Sequence, residues 1–162
     1  MRYQLRQKLL SIGPDFTIRN DDDMDVFFVD GKAFSLGHQL SFQNMDGHQL
    51  AYIRQRLLRL KPTYEIWIGG EHWATVQKEL FTLFKCRFVI DVPGPDDYEA
   101  EGEFLHHEYR FIRGGRTVAS VSKKWFSLSD TYGVEIEDEK DILPVLCGAI
   151  VIDLICHHGH NN

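Results

Sequence analysis

The sequence lacks every short signature that would announce a reaction. It holds no Walker loop, no G-x-G-x-x-G, no G-x-S-x-G and no H-E-x-x-H. Triads assemble in space, so an enzyme stays open as an alternative reading. Cysteine is scarce too: Cys86, Cys147 and Cys156 stand alone, with no C-x-x-C. On one helix, positions 147 and 156 would lie on opposite faces at ~100° per residue, out of reach of a disulfide. Three reduced thiols and a cytoplasmic setting are the expectation. Basic excess is also missing. With 18 Lys+Arg against 24 Asp+Glu the net charge is −6, the wrong sign for a general nucleic-acid binder, so no nucleic-acid partner is expected. The N-terminal MRYQLRQKLLSIG offers no apolar stretch long enough for a signal peptide.

What is present is an ordinary globular composition, 43% hydrophobic and 26% charged over 162 residues. One domain spanning residues 1–162 is expected, large enough to bury a sizeable core. No internal repeat or linker divides it. From Tyr3 to Ile136 short β-rich runs alternate with turn residues. The runs include F-T-I-R, M-D-V-F-F-V, Q-L-A-Y-I-R-Q-R, Y-E-I-W-I, W-A-T-V-Q, R-F-V-I-D, Y-R-F-I-R and T-V-A-S-V-S. The turn markers fall at Asp30–Lys32, Met45–Gly47, Gly69–Glu71, Pro93–Asp97 and Arg113–Arg116. Runs joined by Gly-containing turns at this spacing predict an antiparallel sandwich or barrel of about ten to twelve strands. The clearest hairpins turn on Gly69-Gly70 and Gly114-Gly115, where glycine supplies the positive φ of a two-residue turn. The acidic stretches Asp21–Asp23 and Glu135–Asp141 are expected in solvated connections.

One long apolar run closes the chain, D-I-L-P-V-L-C-G-A-I-V-I-D-L-I-C-H-H at residues 141–158. Ile142 to Cys156 falls short of the ~20 residues a bilayer-crossing helix needs, and it carries Asp153. No transmembrane segment is expected. A surface helix would need a polar face, whereas apolar side chains here surround the axis. Asp141 suits an N-cap, Pro144 the first turn, and His157 and Gly159 a C-terminus. In an otherwise all-β chain, the element able to surround such a helix is a closed sheet. The segments therefore predict a hydrophobic helix threaded through a β-barrel.

That arrangement, with S-K-K-W-F, D-T-Y-G-V and the apolar helix carrying a late Asp, resembles the LURP-one-related family. This family belongs to the tubby C-terminal-like superfamily, which includes the phospholipid scramblases. R-Y-Q-L-R-Q-K, V-D-G-K-A-F and P-T-Y-E-I-W-I are similar as well, so the resemblance covers nearly the whole chain. It implies a roughly twelve-stranded antiparallel barrel around a buried C-terminal helix. It also implies that S-K-K-W-F is a strand. Tubby-like domains bind phosphoinositides, but their basic lipid-binding residues match no positions here, so that function is not carried over.

Candidate ligand contacts are Arg54, Arg56, Lys61 and Asp153. On a strand Arg54 and Arg56 point the same way ~7 Å apart, a spacing suited to a phosphate group. The plain alternative is a solvated face paired with carboxylates, each pair worth ~0–1 kcal/mol. Lys123 and Lys124, on a strand, face opposite ways. Asp153 within an apolar helix must be paired, hydrogen-bonded or neutral. It is expected near the barrel mouth, accepting from strand N–H groups or an Arg. C-H-H-x-H at Cys156–His160 holds metal-ligand types but reads as a terminal tail, and His106-His107, as strand neighbours, cannot chelate together. No catalytic residue, metal ligand or cofactor is assigned. The leading expectation is a non-enzymatic binding or adaptor module for anionic lipid head groups or a protein partner. The alternatives are an enzyme with its site in the barrel mouth and a structural subunit of an assembly.

Overall fold

The computed structural model describes residues 1–8, 15–31, 36–80, 85–125 and 131–157. It contains twelve strands and, among the described residues, one α-helix. The strands are β1 (Arg2–Lys8), β2 (Asp15–Arg19), β3 (Asp25–Gly31), β4 (Gln39–Asn44), β5 (Gln49–Gln55) and β6 (Thr63–Ile68). They continue as β7 (Glu71–Leu80), β8 (Cys86–Asp91), β9 (Tyr98–Glu103), β10 (Glu108–Arg113), β11 (Arg116–Ser122) and β12 (Thr131–Ile136). Each pairs antiparallel with its neighbour in sequence, and β1 closes the circle on β12 through Arg2↔Glu135 and Arg6↔Thr131. The result is a closed barrel with no free edge, the arrangement that removes the unpaired strand edges an open sheet exposes.

Helix α1 (Ile142–His157) fills that barrel, with Pro144 through Leu154 all buried. Strand positions with the opposite parity to the solvent face meet it: Leu5, Ile18, Val29, Phe42, Ile53, Ile66, Ile90, Phe111 and Val134 are fully buried. Contact is closest at Gly148, where an added Cβ would lie 2.6 Å from Ile90 Cδ1 and 3.0 Å from Phe111 Cε1. The helix apolar on all sides thus finds walls on all sides. At 16 residues it is not long enough to cross a membrane, and no described helix is.

The two expected Gly-Gly hairpins form as read. Gly69 and Gly70 have φ of +60° and +79°, Gly114 and Gly115 +56° and +74°. Some expectations need correction. Asp30 and Gly31 belong to β3 and not to a turn, and Lys32 lies outside the described residues. β11 ends at Ser122, so Lys123–Trp125 form a bend and turn instead of the expected strand. Within 135–141, Glu135 and Ile136 sit in β12 and Asp141 is buried. Asp141 directly precedes α1. It ends the 3-10 turn Glu139–Asp141, whose N-cap Asp138 accepts from the Lys140 N–H at 3.1 Å. The Asp141 carboxylate accepts from the Tyr98 hydroxyl, with Arg113 Nη1 3.9 Å away.

Because all neighbours are antiparallel, the connections alternate between two ends of the barrel. The β2–β3, β4–β5, β6–β7, β8–β9, β10–β11 and β12–α1 connections share the end where the helix enters. The β1–β2, β3–β4, β5–β6, β7–β8, β9–β10 and β11–β12 connections belong to the opposite end, where the helix finishes at His157.

Candidate functional site

The β5–β6 connection, R-L-L-R-L-K-P at residues 56–62, stands at the helix-exit end. Its base is held by the sheet. Arg56 N–H donates to Thr63 O at 2.9 Å, Thr63 Oγ1 donates to Lys61 O at 2.8 Å, and Lys78 N–H donates to Pro62 O at 3.1 Å. Its tip is not held. Leu58 and Leu60 are 104% and 106% exposed and Leu57 is 47% exposed. Leu58 has φ +58°, a left-handed conformation unusual for a bulky residue. Scattered surface leucines need no explanation, but three in four positions on one connection form a concentrated apolar tip.

Arg54 and Arg56 do point the same way, as their spacing predicts, and both turn toward Glu65 on β6. Arg56 Nη1 donates to Glu65 Oε1 at 2.6 Å, Arg54 Nη2 lies 3.7 Å from the same oxygen, and Trp67 Nε1 donates to Oε2 at 3.1 Å. His72 Nε2 approaches Oε2 to 4.0 Å. Glu65 faces outward yet is buried by this cover. Burial pushes its carboxyl up, but the Arg56 hydrogen bond and the charges of Arg56, Arg54 and His72 outweigh that and hold it below the ordinary range. Two arginines on one carboxylate leave a net positive charge at the base of the loop. Lys61 extends from the loop itself, and neither it nor Arg59 pairs with a carboxylate among the described residues.

The two barrel ends differ sharply in charge. Entry-end connections carry Asp21–Asp23, Asp46, Asp96, Asp97, Glu137–Glu139 and Asp141 against one base, Lys140. The described exit-end connections contain no acid and carry Arg56, Arg59, Lys61, Lys85, Lys123 and Lys124. In sequence, the undescribed stretches between them add only Lys32 and Asp130. Beyond Lys123 and Lys124, Trp125 lies against the outer face of β1, with the Arg2 guanidinium 4.3 Å above its ring. Exposed hydrophobics segregate in the same way: Leu36, Leu57, Leu58, Leu60, Leu80 and Leu105 at the exit end, Met1, Met24 and Met45 at the other.

Of the remaining candidates, Asp153 sits near the barrel mouth as expected, and one of its side-chain partners was not anticipated. It is His107, whose Nε2 lies 2.8 Å from Asp153 Oδ1. His107 is not a strand residue; it closes the 3-10 turn Phe104–His106 at φ +52°. In the C-H-H-x-H tract, Cys156 and His157 belong to α1, and His158 and His160 lie outside the described residues. At the entry end a cleft of ≈ 370 Å³ is lined by both signs of charge. Lys140–Asp138 at 3.2 Å and Arg113 with Tyr98 and Asp141 stitch it internally. Sequence reasoning missed the leucine tip and the Glu65 cover. The leucines were visible in R-L-L-R-L-K, but their exposure depends on the loop that Pro62 and the paired strands impose.

A closed twelve-stranded meander around a buried helix, with one apolar basic end, defines a barrel module whose connections carry its surface chemistry. The chain belongs to the LURP-one-related family, whose profile matches residues 1–153. A Bacillus subtilis (strain 168) protein, YxjI, described as uncharacterized, is 36% identical over 157 residues, covering 97% of this chain and 94% of that protein. The X-ray structure of the Arabidopsis thaliana protein AT5G01750 superposes with a TM-score of 0.67 over 95% of this chain and 91% of that one. At 13% identity that likeness speaks for the fold alone.

Proposed function

We propose that the protein is a binding module that docks on anionic membrane surfaces through its helix-exit end. The observation that supports this is the coincidence, among the described residues, of exposed leucines and acid-free, basic connections at one end of the barrel, with the acids of the connections gathered at the other. Leu58 and Leu60 enter the boundary between head groups and acyl chains, while Arg59 and Lys61 meet lipid phosphates. Arg54 and Arg56 add net positive charge behind them.

The magnitudes make this a weak, reversible attachment. Burying two leucines contributes roughly 1.5–3 kcal/mol each, and two cations near an anionic leaflet about 1 kcal/mol each. Together that is about 5–8 kcal/mol, between millimolar and micromolar affinity. The electrostatic share is screened by salt.

Co-sedimentation with phosphatidylcholine vesicles, with and without phosphatidylserine, at low and high salt tests the reading. Pelleting is expected with the anionic vesicles at low salt. Leu58→Ser/Leu60→Ser and Arg59→Glu/Lys61→Glu should each abolish it, and Arg54→Ala/Arg56→Ala should weaken it. No pelleting at any composition would overturn the proposal and turn attention to a protein partner for the same end.

A further inference from the structure

The last turn of α1 and the β9–β10 connection bring together three metal-ligand side chains that the sequence leaves far apart. Asp153 and His157 stand at i and i+4 on one helix face, the spacing that lets both reach a single ion. His107 arrives from the opposite wall. One ligand atom from each of the three lies within 4.8 Å of the others. His107 and Asp153 are buried, and His157 is exposed, so the cluster opens to solvent on one side.

The local packing is organised around these rings. His107 is held in a left-handed conformation at the cap of its turn, a strained backbone of the kind that gathers at functional sites. Its ring stacks on Tyr132 at 4.4 Å and on His157 at 4.5 Å with only 6° between the planes. Among the described residues, three buried polar atoms in this neighbourhood, His107 Nδ1, Tyr109 Oη and Tyr132 Oη, have no hydrogen-bond partner. Buried polar atoms are nearly always satisfied, so three together mark a strongly polar neighbourhood around the end of the helix.

The geometry points to a divalent transition-metal site formed by His107, Asp153 and His157, with zinc the best match to two imidazoles, one carboxylate and an open position. Sharing one ion would require the two imidazoles to leave their parallel stack, because their ring nitrogens must converge on the metal. The ion would tie the end of the central helix to the β9–β10 connection across the barrel mouth. This inference is independent of membrane docking.

The test is titration of the metal-free protein with Zn²⁺, and with Co²⁺ as a spectroscopic probe, alongside thermal unfolding. Expected are one ion per chain, a Co²⁺ visible spectrum of a low-symmetry nitrogen and oxygen site, and a rise in Tm with added Zn²⁺. His157→Ala, exposed and compatible with folding, should weaken binding at least tenfold. His107→Ala and Asp153→Asn should do so by more. His158→Ala/His160→Ala should retain the site. Absence of stoichiometric binding overturns the inference. So does binding that survives His157→Ala and Asp153→Asn but vanishes in the His158/His160 variant, which would mark chelation by the terminal tract alone.

Discussion

Arg56 donates to Glu65 at 2.6 Å, while Arg54, directly opposite Glu65 in the β5–β6 ladder, stays 3.7 Å from the same oxygen. Register neighbours are therefore not the tighter pair. Arg56→Ala removes a charged hydrogen bond from a buried carboxylate and should cost about 1–2 kcal/mol, discounted for the exposure of the guanidinium. Arg54→Ala should stay within about 0.5 kcal/mol. Urea unfolding of the two variants checks the contrast.

The same carboxylate gives acid stability a direction. Its folded pKa is depressed, so its contribution is present above the unfolded value of about 4.3 and is lost as pH falls through the folded value. Glu65→Gln should therefore show a shallower loss of stability below about pH 4.5 than the parent chain. Equal acid limbs in both proteins would contradict this.

Four tyrosines divide by their partners. Among the described residues the buried Tyr109 and Tyr132 hydroxyls have none, so in metal-free protein Tyr109→Phe and Tyr132→Phe should be neutral or stabilising by up to about 1 kcal/mol. Tyr98→Phe strips a donor from buried Asp141 and should cost about 1.5–3 kcal/mol. Burial first, and then the charge of Asp153, raises the Tyr109 and Tyr132 phenols well above their ordinary value, and burial also raises Tyr64. A raised folded pKa means stability present below the unfolded value of about 10 and lost as pH climbs above it. Ultraviolet titration should show these phenols ionising only as the protein unfolds.

Gly102 is the position least tolerant of a methyl group. Its φ is +139°, and an added Cβ would lie 2.7 Å from both Glu108 O and Tyr109 Cα, backbone atoms that cannot move aside alone. Gly102→Ala should cost about 2–3 kcal/mol. Gly94→Ala, at φ +109° with open space around it, should cost less, near 1 kcal/mol. Chemical denaturation ranks the two.

The central helix was legible because no polar stripe interrupts Leu143–Ile155, and burial on all sides is the one solution to that pattern. The Gly-Gly hairpins were legible because two-residue turns demand positive φ. β9 was not. Y-E-A-E-G-E carries three acids on its outward face and only Tyr98 and Ala100 inward, so its strand character comes from its neighbours. β4 likewise escaped, its Leu40 and Phe42 too few to mark a strand alone. The division of charge between the ends was invisible until the meander was known, because it depends on every second connection and not on any continuous stretch. His107 read as a strand residue because F-L-H-H gives no sign of the 3-10 turn it closes. Its union with Asp153 and His157 is a product of the barrel.

Helix α1 follows all twelve strands in the chain, and it is the material around which they close. During synthesis each strand therefore leaves the ribosome with an apolar face that has nothing to cover it. β1 must wait for β12, and the lumen must wait for Ile142–Leu154. Hairpins can form early, but closure and filling come last and together. Folding should thus be a late, concerted event dominated by long-range contacts, slow for the size of the chain and exposed to chaperones until the helix arrives.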